Sequence, residues 1–310
     1  MMLQQDTRRF FYISIAQLLA IIAVGLIIKV VLFDLYKING EQMSPTAVNG
    51  DRILIFRTPY LPLLRSVFRT GLNKPVLIHL PVKNGGYGFL RVAGRSGDTV
   101  SIYNGEFFNS SKTDLHLPPD GKMGEILPED YSPRDNFKPL RIPAPGDTIS
   151  LNDLSVRDFF FIYSIIKQEN NEADIKIKAD LLIDDSVSND YIINGFSLYK
   201  GAFDSIKEPN RNDWFFWTHL EDYLRTDIED RNVFLDFSMF INDIEINTYR
   251  VKKSYVFLLA DNWNNGLDSR YFGPVQRSNI KGRAFLVLWS YGKGSGKHLV
   301  NLKRFGRIVQ

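Results

Sequence analysis

The 310-residue chain has no cysteine, which removes disulfide bonds, zinc–thiolate sites and thiol nucleophiles from the chemistry open to it. That absence does not place the protein inside or outside a cell. Histidine is scarce: His79, His116, His219 and His298 are the four, and no two have the spacing of metal ligands, so neither a metal site nor a cofactor is expected. The chain also lacks an excess of either charge. Its 38 basic and 35 acidic residues leave a net charge of +3, too little for the concentrated basic face that nucleic-acid binding needs. No internal repeat or low-complexity tract is evident. What is present is apolar material: 44% of residues are hydrophobic against 24% charged, enough to bury at least one full-sized core in one domain or two small ones.

Much of that material is concentrated at the start. Residues 10–33, FFYISIAQLLAIIAVGLIIKVVLF, form an apolar run broken by Ser14, Gln17 and Lys29, and as a helix it would extend about 36 Å, long enough to cross a bilayer. It exceeds the apolar stretch of a cleaved secretory signal and continues into Phe33-Asp34-Leu35-Tyr36 without a small-residue cleavage site, which identifies it as a retained anchor. Arg8 and Arg9 precede the run and Asp34 follows it, so the positive-inside rule puts the N-terminus in the cytoplasm and residues from Asp34 to Gln310 on the other side of the membrane. Membrane lipid is therefore an expected partner. A second apolar segment, Tyr60 to Phe68, is interleaved with Arg65; it is read either as resting on the membrane interface or as core.

Beyond the anchor, apolar residues alternate or come in short runs, as in Arg52–Phe56, Val76–Leu80, Thr99–Tyr103, Tyr255–Leu259 and Ala284–Trp289. These are strand signals. Turn punctuation such as Asn49-Gly50-Asp51, Asn84-Gly85-Gly86 and Asn104-Gly105 favours an antiparallel, mainly β domain over alternating βαβ units. From Leu151 to about Glu245 the composition shifts toward acidic residues, Asn and Ile, with helical spacing around Phe159–Lys167 and His219–Thr226 and an aromatic run at Trp214–Trp217. This stretch is read as an inserted α+β subdomain. Its aromatic run is either core or a partner surface.

Three motifs carry chemical information. The first is Gly40-Glu41-Gln42-Met43-Ser44-Pro45-Thr46, followed by Gly50-Asp51-Arg52. The second is Leu90-Arg91-Val92-Ala93-Gly94-Arg95-Ser96-Gly97-Asp98. The third is Ala260-Asp261-Asn262-Trp263-Asn264-Asn265-Gly266-Leu267-Asp268-Ser269-Arg270, ending at Gly273. Together with an anchor ahead of them, their order resembles the type I signal peptidases. In that family the motifs read Ser-x-Ser-Met-x-Pro-Thr, Lys-Arg-x-x-Gly-x-Pro-Gly-Asp and Gly-Asp-Asn-x-x-x-Ser-x-Asp-Ser-Arg-x-x-Gly. The resemblance covers about residues 10–105, 141–151 more weakly, and 240–290, leaving 151–245 unassigned. It implies a cytoplasmic stretch (1–9), a transmembrane helix (10–33), a β-barrel-like domain from 36–150 and 246–310, and the insertion at 151–245. It also implies signal peptides or exported precursors as partners.

The resemblance further implies a serine nucleophile activated by a neutral lysine base, and here the sequence departs from it. Gln42 aligns with the nucleophile and Leu90 with the base; Gly40 aligns with the serine that lines the oxyanion hole, and Gly266 with the serine that hydrogen-bonds the lysine. An amide is not a usable nucleophile and an alkyl chain accepts no proton. The residues that do match have scaffolding character: Met43, Pro45 and Thr46; Gly50, Gly94, Gly97 and Gly273, which suit positive φ or close backbone approach; Asp51 and Asp98; Asp261 and Asn262; and Ser269, a turn hydrogen-bonder. Arg91, Asp268 and Arg270 are expected to form one partly buried charge network.

Two functions follow. In the first, the chain keeps the fold without the cutting chemistry and binds or escorts exported precursors, or assists an active signal peptidase, by strand addition in the family's groove. In the second it is an active endopeptidase whose nucleophile has shifted to Ser44, which shares a face with Gln42 if the segment is extended but lies about 6.6 Å away along it. A Ser44–His79 pair is conceivable on that reading, although nothing in the spacing selects it.

Overall fold

The computed structural model describes residues 15–25, 29, 31–57, 71–81, 86–111, 136–152, 154–188, 190–193, 196–199, 214–228, 231–294 and 297–309. Its elements run β1 (Phe33–Lys37), β2 (Asp51–Arg57), β3 (Pro75–His79), β4 (Tyr87–Arg95), β5 (Thr99–Tyr103), β6 (Glu106–Asn109), β7 (Asn136–Arg141) and β8 (Thr148–Ser150), then helix α1 (Val156–Glu169). The chain continues through β9 (Ile175–Ile183), β10 (Ser186–Val187), β11 (Asp190–Ile193), β12 (Phe196–Tyr199), helix α2 (Trp214–Asp227), β13 (Val233–Ile241), β14 (Ile244–Ile246) and β15 (Thr248–Arg250). It ends with β16 (Tyr255–Leu259), the short helix α3 (Ser269–Phe272), β17 (Val275–Gln276), β18 (Ile280–Gly294) and β19 (Lys297–Val300). The mainly β, antiparallel architecture expected from the turn signals is observed, and two of the expected strands, Thr99–Tyr103 and Tyr255–Leu259, have the expected bounds.

The principal sheet has the order β1-β2-β18-β3-β4-β16-β17, with β19 pairing to β18. It curls on itself. The Tyr36 hydroxyl on β1 donates to the Tyr87 carbonyl on β4 at 2.9 Å, although β2, β18 and β3 lie between these strands in the sheet. Register shifts along β18, between Ile280 and Gly282 and again between Ala284 and Leu286 and between Val287 and Trp289, are the bulges that give a strand the added bend and twist such a curl requires.

Every residue of β16 is buried, and its period of two sorts them into separate cores. Tyr255, Phe257 and Leu259 join an apolar cluster with Phe137, Phe161, Ile165 and Ile166. Val256, Leu258 and the following Ala260 join another with Ile53, Ile55, Val76, Leu90 and Val287. A strand buried on both faces reads as a continuous apolar run, which is why Tyr255 to Ala260 shows no polar alternation.

Helices α1 and α2 and strands β9 and β13 pack on the first of these cores. Helix α1 is capped by Ser155, whose hydroxyl accepts from the Asp158 amide, satisfying one of the otherwise unpaired donors of the first turn. Its apolar residues Phe159 to Ile162, Ile165 and Ile166 are buried. The Glu169 carboxylate at its last turn accepts from the Tyr249 and Tyr255 hydroxyls, each at 2.8 Å, and from the Lys252 and Lys253 amides. Of the aromatic run of α2, Trp217 is 2% exposed, Trp214 and Phe216 pack on the same cluster, and Trp214 Nε1 donates to the Tyr271 carbonyl at 2.9 Å. Residues β9 and β13 pair over their whole lengths beneath it.

Two sequence expectations need correction or limitation here. Phe33 opens β1, paired with Phe56, rather than closing the preceding helix, because its ring packs on Phe56 with centroids 4.7 Å apart. Helical residues are described at 15–25, 29 and 31–32, while 10–14, 26–28 and 30 lie outside the described residues, as does Tyr60–Phe68. Among the described residues no helix is long and apolar enough to cross a membrane.

The tyrosines around Glu169 make a testable statement about pH. Burial, reinforced by Glu169 and opposed by the Asn170 hydrogen bond, pushes Tyr249 up to about 12, and burial followed by Glu169 raises Tyr255 further. An unfolded tyrosine titrates near ~10, so above that pH the unfolded chain releases protons that the folded chain retains, and folding stability falls as pH rises. The contribution is complete below pH ~10 and declines above it. Urea midpoints measured at pH 9 and pH 11 should show this loss, and Tyr255→Phe should flatten the dependence.

Candidate functional site

The three motifs, far apart in sequence, converge on one locus. The segment carrying the first is a tight turn: Ser44 N–H donates to the Glu41 carbonyl at 3.0 Å and Ala47 N–H to the Met43 carbonyl at 2.8 Å. The extended geometry on which a nucleophile shifted to Ser44 would share a face with Gln42 is therefore absent. The third motif grips this turn through its backbone. Asn262 N–H donates to the Gln42 carbonyl at 2.9 Å, Asn262 Nδ2 to the Glu41 carbonyl at 3.2 Å, and Asp261 N–H to the Met43 sulfur at 3.4 Å. The second motif joins through Arg91, whose Nε and Nη2 donate to the Asp261 carboxylate at 2.7 and 2.6 Å, whose Nη1 donates to the Asn73 carbonyl, and whose Nη2 reaches the Thr46 hydroxyl at 3.5 Å.

Asp268, Ser269 and Arg270 act on β16. Only Tyr255 and Val256 of that strand pair with β17. Farther along, the Ser269 hydroxyl accepts from the Leu258 amide at 3.0 Å and the Asp268 carboxylate from the Ala260 amide at 2.9 Å, so two side chains supply the acceptors that a neighbouring strand would otherwise provide. Asp268 also caps α3 and takes a bidentate ion pair from Arg270, both distances being 2.8 Å. The single, partly buried network expected for Arg91, Asp268 and Arg270 is replaced by two separate pairs, Arg91–Asp261 and Arg270–Asp268, all four side chains no more than 2% exposed. Each guanidinium fork has a carboxylate within bidentate reach, and a buried charge is best compensated by its nearest counter-charge.

The positions where cutting chemistry was expected are occupied as follows. Leu90 is fully buried opposite Val76, within the apolar cluster that also holds Met43 and Ala260. Gln42 is half-buried, Gly40 exposed. A Cβ built on Gly266 would lie 2.1 Å from Ala260 Cβ and 2.8 Å from the Asn262 carbonyl oxygen. With Ala at 260, residue 266 has no room for any side chain, hydroxyl-bearing or otherwise. His79 ends β3 beside Tyr87, edge-on to its ring at 5.7 Å.

The remaining scaffold positions are structural in an identifiable way. Asp98 accepts from the Arg95 amide and from the Ser111 hydroxyl. Gly50, Gly97 and Gly273 have positive φ, and a Cβ on Gly94 would meet Ile142 Cδ1 at 2.5 Å. The Ser44–Pro45 peptide is cis. Asp51 receives Arg304, Nε at 2.9 Å and Nη2 at 2.6 Å. Sequence reasoning missed Arg304, Asn73, Ser111 and Glu169, since each acts on a partner that no local pattern announces. Among the described residues no group of acidic and histidine side chains is placed to hold a metal ion.

The 260/266 pair gives a direct test. Gly266→Ser alone should destabilise the protein by about 1–3 kcal/mol, the usual cost of overpacking a filled interior. Ala260→Gly in the same chain should recover part of that loss, since it removes the 2.1 Å contact but leaves the Asn262 carbonyl oxygen at 2.8 Å. A double-mutant cycle on urea unfolding would read the coupling.

Comparison with known proteins puts these features in a family. The model of "Signal peptidase, peptidase S26" matches residues 11–120 and 142–289, so the stretch 151–245, left unassigned by the motifs, lies inside the match. The chain is 23% identical over 309 residues to signal peptidase I of Buchnera aphidicola subsp. Acyrthosiphon pisum (strain APS), covering 98% of this chain and 84% of that protein. Over a 40-residue stretch it is 45% identical to signal peptidase I of Aquifex aeolicus (strain VF5), covering 13% of this chain and 16% of that one. With three motifs brought to one locus and a family match spanning most of its length, the chain is a member of the signal peptidase S26 family.

Proposed function

We propose that this signal peptidase homologue binds exported precursors at the membrane without cutting them, escorting them or assisting an active peptidase. The observation that carries this reading is the interior at Leu90. A Ser/Lys mechanism needs an amine, held neutral by burial, within reach of a hydroxyl. The corresponding interior here is an apolar cluster containing Leu90 and Ala260, and the methyl of Ala260 occupies the space a side chain at 266 would need. Without nucleophile and base, residual acceleration from binding and oxyanion stabilisation is at most ~10³–10⁴-fold, and Gly40 offers no side-chain donor to that hole.

Membrane attachment through residues 10–33 is part of the proposal. It is supported by the helix at 15–25, whose Leu18, Leu19 and Ile21 are 58%, 59% and 69% exposed; apolar side chains left in contact with solvent to that extent over consecutive turns call for a lipid environment. Arg8 and Arg9 ahead of the run support a cytoplasmic N-terminus and an outward-facing main domain.

The test is cleavage of a preprotein by detergent-solubilised wild type, set beside Ser44→Ala and a variant combining Gln42→Ser, Leu90→Lys, Ala260→Gly and Gly266→Ser. We expect no product from wild type and a gain of cleavage in the combined variant. Cleavage by wild type that disappears in Ser44→Ala would establish the rearranged-site enzyme instead.

A further inference from the structure

The family match ends at residue 289, and the chain beyond it folds back on the site. Tyr291 N–H donates to the Gly50 carbonyl at 3.1 Å and Asn301 N–H to the Ser290 carbonyl at 2.7 Å; Gly306 and Arg307 exchange backbone hydrogen bonds with Val287, and Val309 N–H reaches the Phe285 carbonyl. Val309, 2% exposed, enters the same apolar cluster as Leu90. This C-terminal strap is thus attached at both ends, with Arg304 between them.

Arg304 points at the turn that carries the first motif. Its Nε and Nη2 hold the fully buried Asp51 carboxylate, which also accepts from the Val48 amide at 3.0 Å. Its Nη2 donates in addition to the Thr46 carbonyl at 3.1 Å. The turn is therefore held from two directions: Arg91 and Asp261 contact Met43 and the Thr46 hydroxyl, and Arg304 contacts the Thr46 carbonyl and, through Asp51, Val48. A planar guanidinium can address a carboxylate and a carbonyl at once, whereas an ammonium is a point charge without that fork.

We propose that Arg304 is a positioning residue of the functional site: through Asp51 and Thr46 it sets the conformation of the Gly40–Gly50 segment that presents Gln42 and Ser44, so the C-terminal strap belongs to the site. This does not depend on whether the chain cuts.

The experiment is hydrogen exchange followed by mass spectrometry on the full-length, detergent-solubilised protein, comparing wild type with Arg304→Ala and Arg304→Lys. In Arg304→Ala, peptides covering residues 38–50 should exchange faster by about tenfold or more while peptides from β4 and β16 keep wild-type protection, because local opening is independent of global unfolding. Arg304→Lys should recover part of the protection. Unchanged exchange at 38–50 would overturn the proposal. So would a loss of protection spread equally over β4 and β16, or a variant that fails to fold in both substitutions, since either marks Arg304 as a general stabiliser.

Discussion

A strand buried on both faces has to find a partner for each of its backbone groups inside the protein, because no water reaches it. β16 is such a strand, and much of the architecture around it answers that demand. One edge is taken by β4, and the other by β17 for two residues and then by the Ser269 and Asp268 side chains at Leu258 and Ala260. Asp268 can do this as a buried carboxylate because Arg270, in the short helix that Asp268 caps, neutralises it. The Asp-Ser-Arg signature is thus a requirement of the wall between the two cores, independent of the chemistry performed beside it.

The same wall explains how a family scaffold can tolerate an apolar interior at its centre. Placing a lysine in a dry cavity demands that it lose its charge, and a neighbouring hydroxyl to hold it. Leu90 and Ala260 make no such demands and belong to one apolar cluster with Val76 and Val287. The scaffold residues remain because they hold backbone: Asn262 and Asp261 clasp the turn at Glu41 to Met43, and Arg91 ties Asp261 to Asn73. Those contacts use backbone groups of the turn and the Met43 sulfur and do not involve the Gln42 or Leu90 side chains.

Strand identity was legible wherever short apolar runs were bounded by turn residues, and both helices of the 151–245 stretch appeared at their apolar spacing. The start of α2 was hidden, since Trp214 to Trp217 is apolar all round and lacks the one-sided pattern that marks a helix face. Phe33 was assigned to the helix because it continues an apolar run; its pairing with Phe56 is a contact across 23 residues that hydropathy does not see. The shifted-nucleophile reading needed an extended Gln42–Ser44 segment, whereas hydrogen bonds from Ser44 N–H to Glu41 and from Ala47 N–H to Met43 close it into a turn.

By itself the sequence determined the residue types available for chemistry, the antiparallel β character and the family, since these depend on composition, local period and short ordered motifs. Tertiary structure alone decided that Arg91 chooses Asp261 while Arg270 keeps Asp268, that Ala260 and a side chain at 266 exclude one another, and that Arg304 reaches Asp51 across 253 positions. Each of these is settled by distances of a few ångströms between residues far apart in the chain or on opposite arms of a turn, and such distances exist only once the curled sheet has closed.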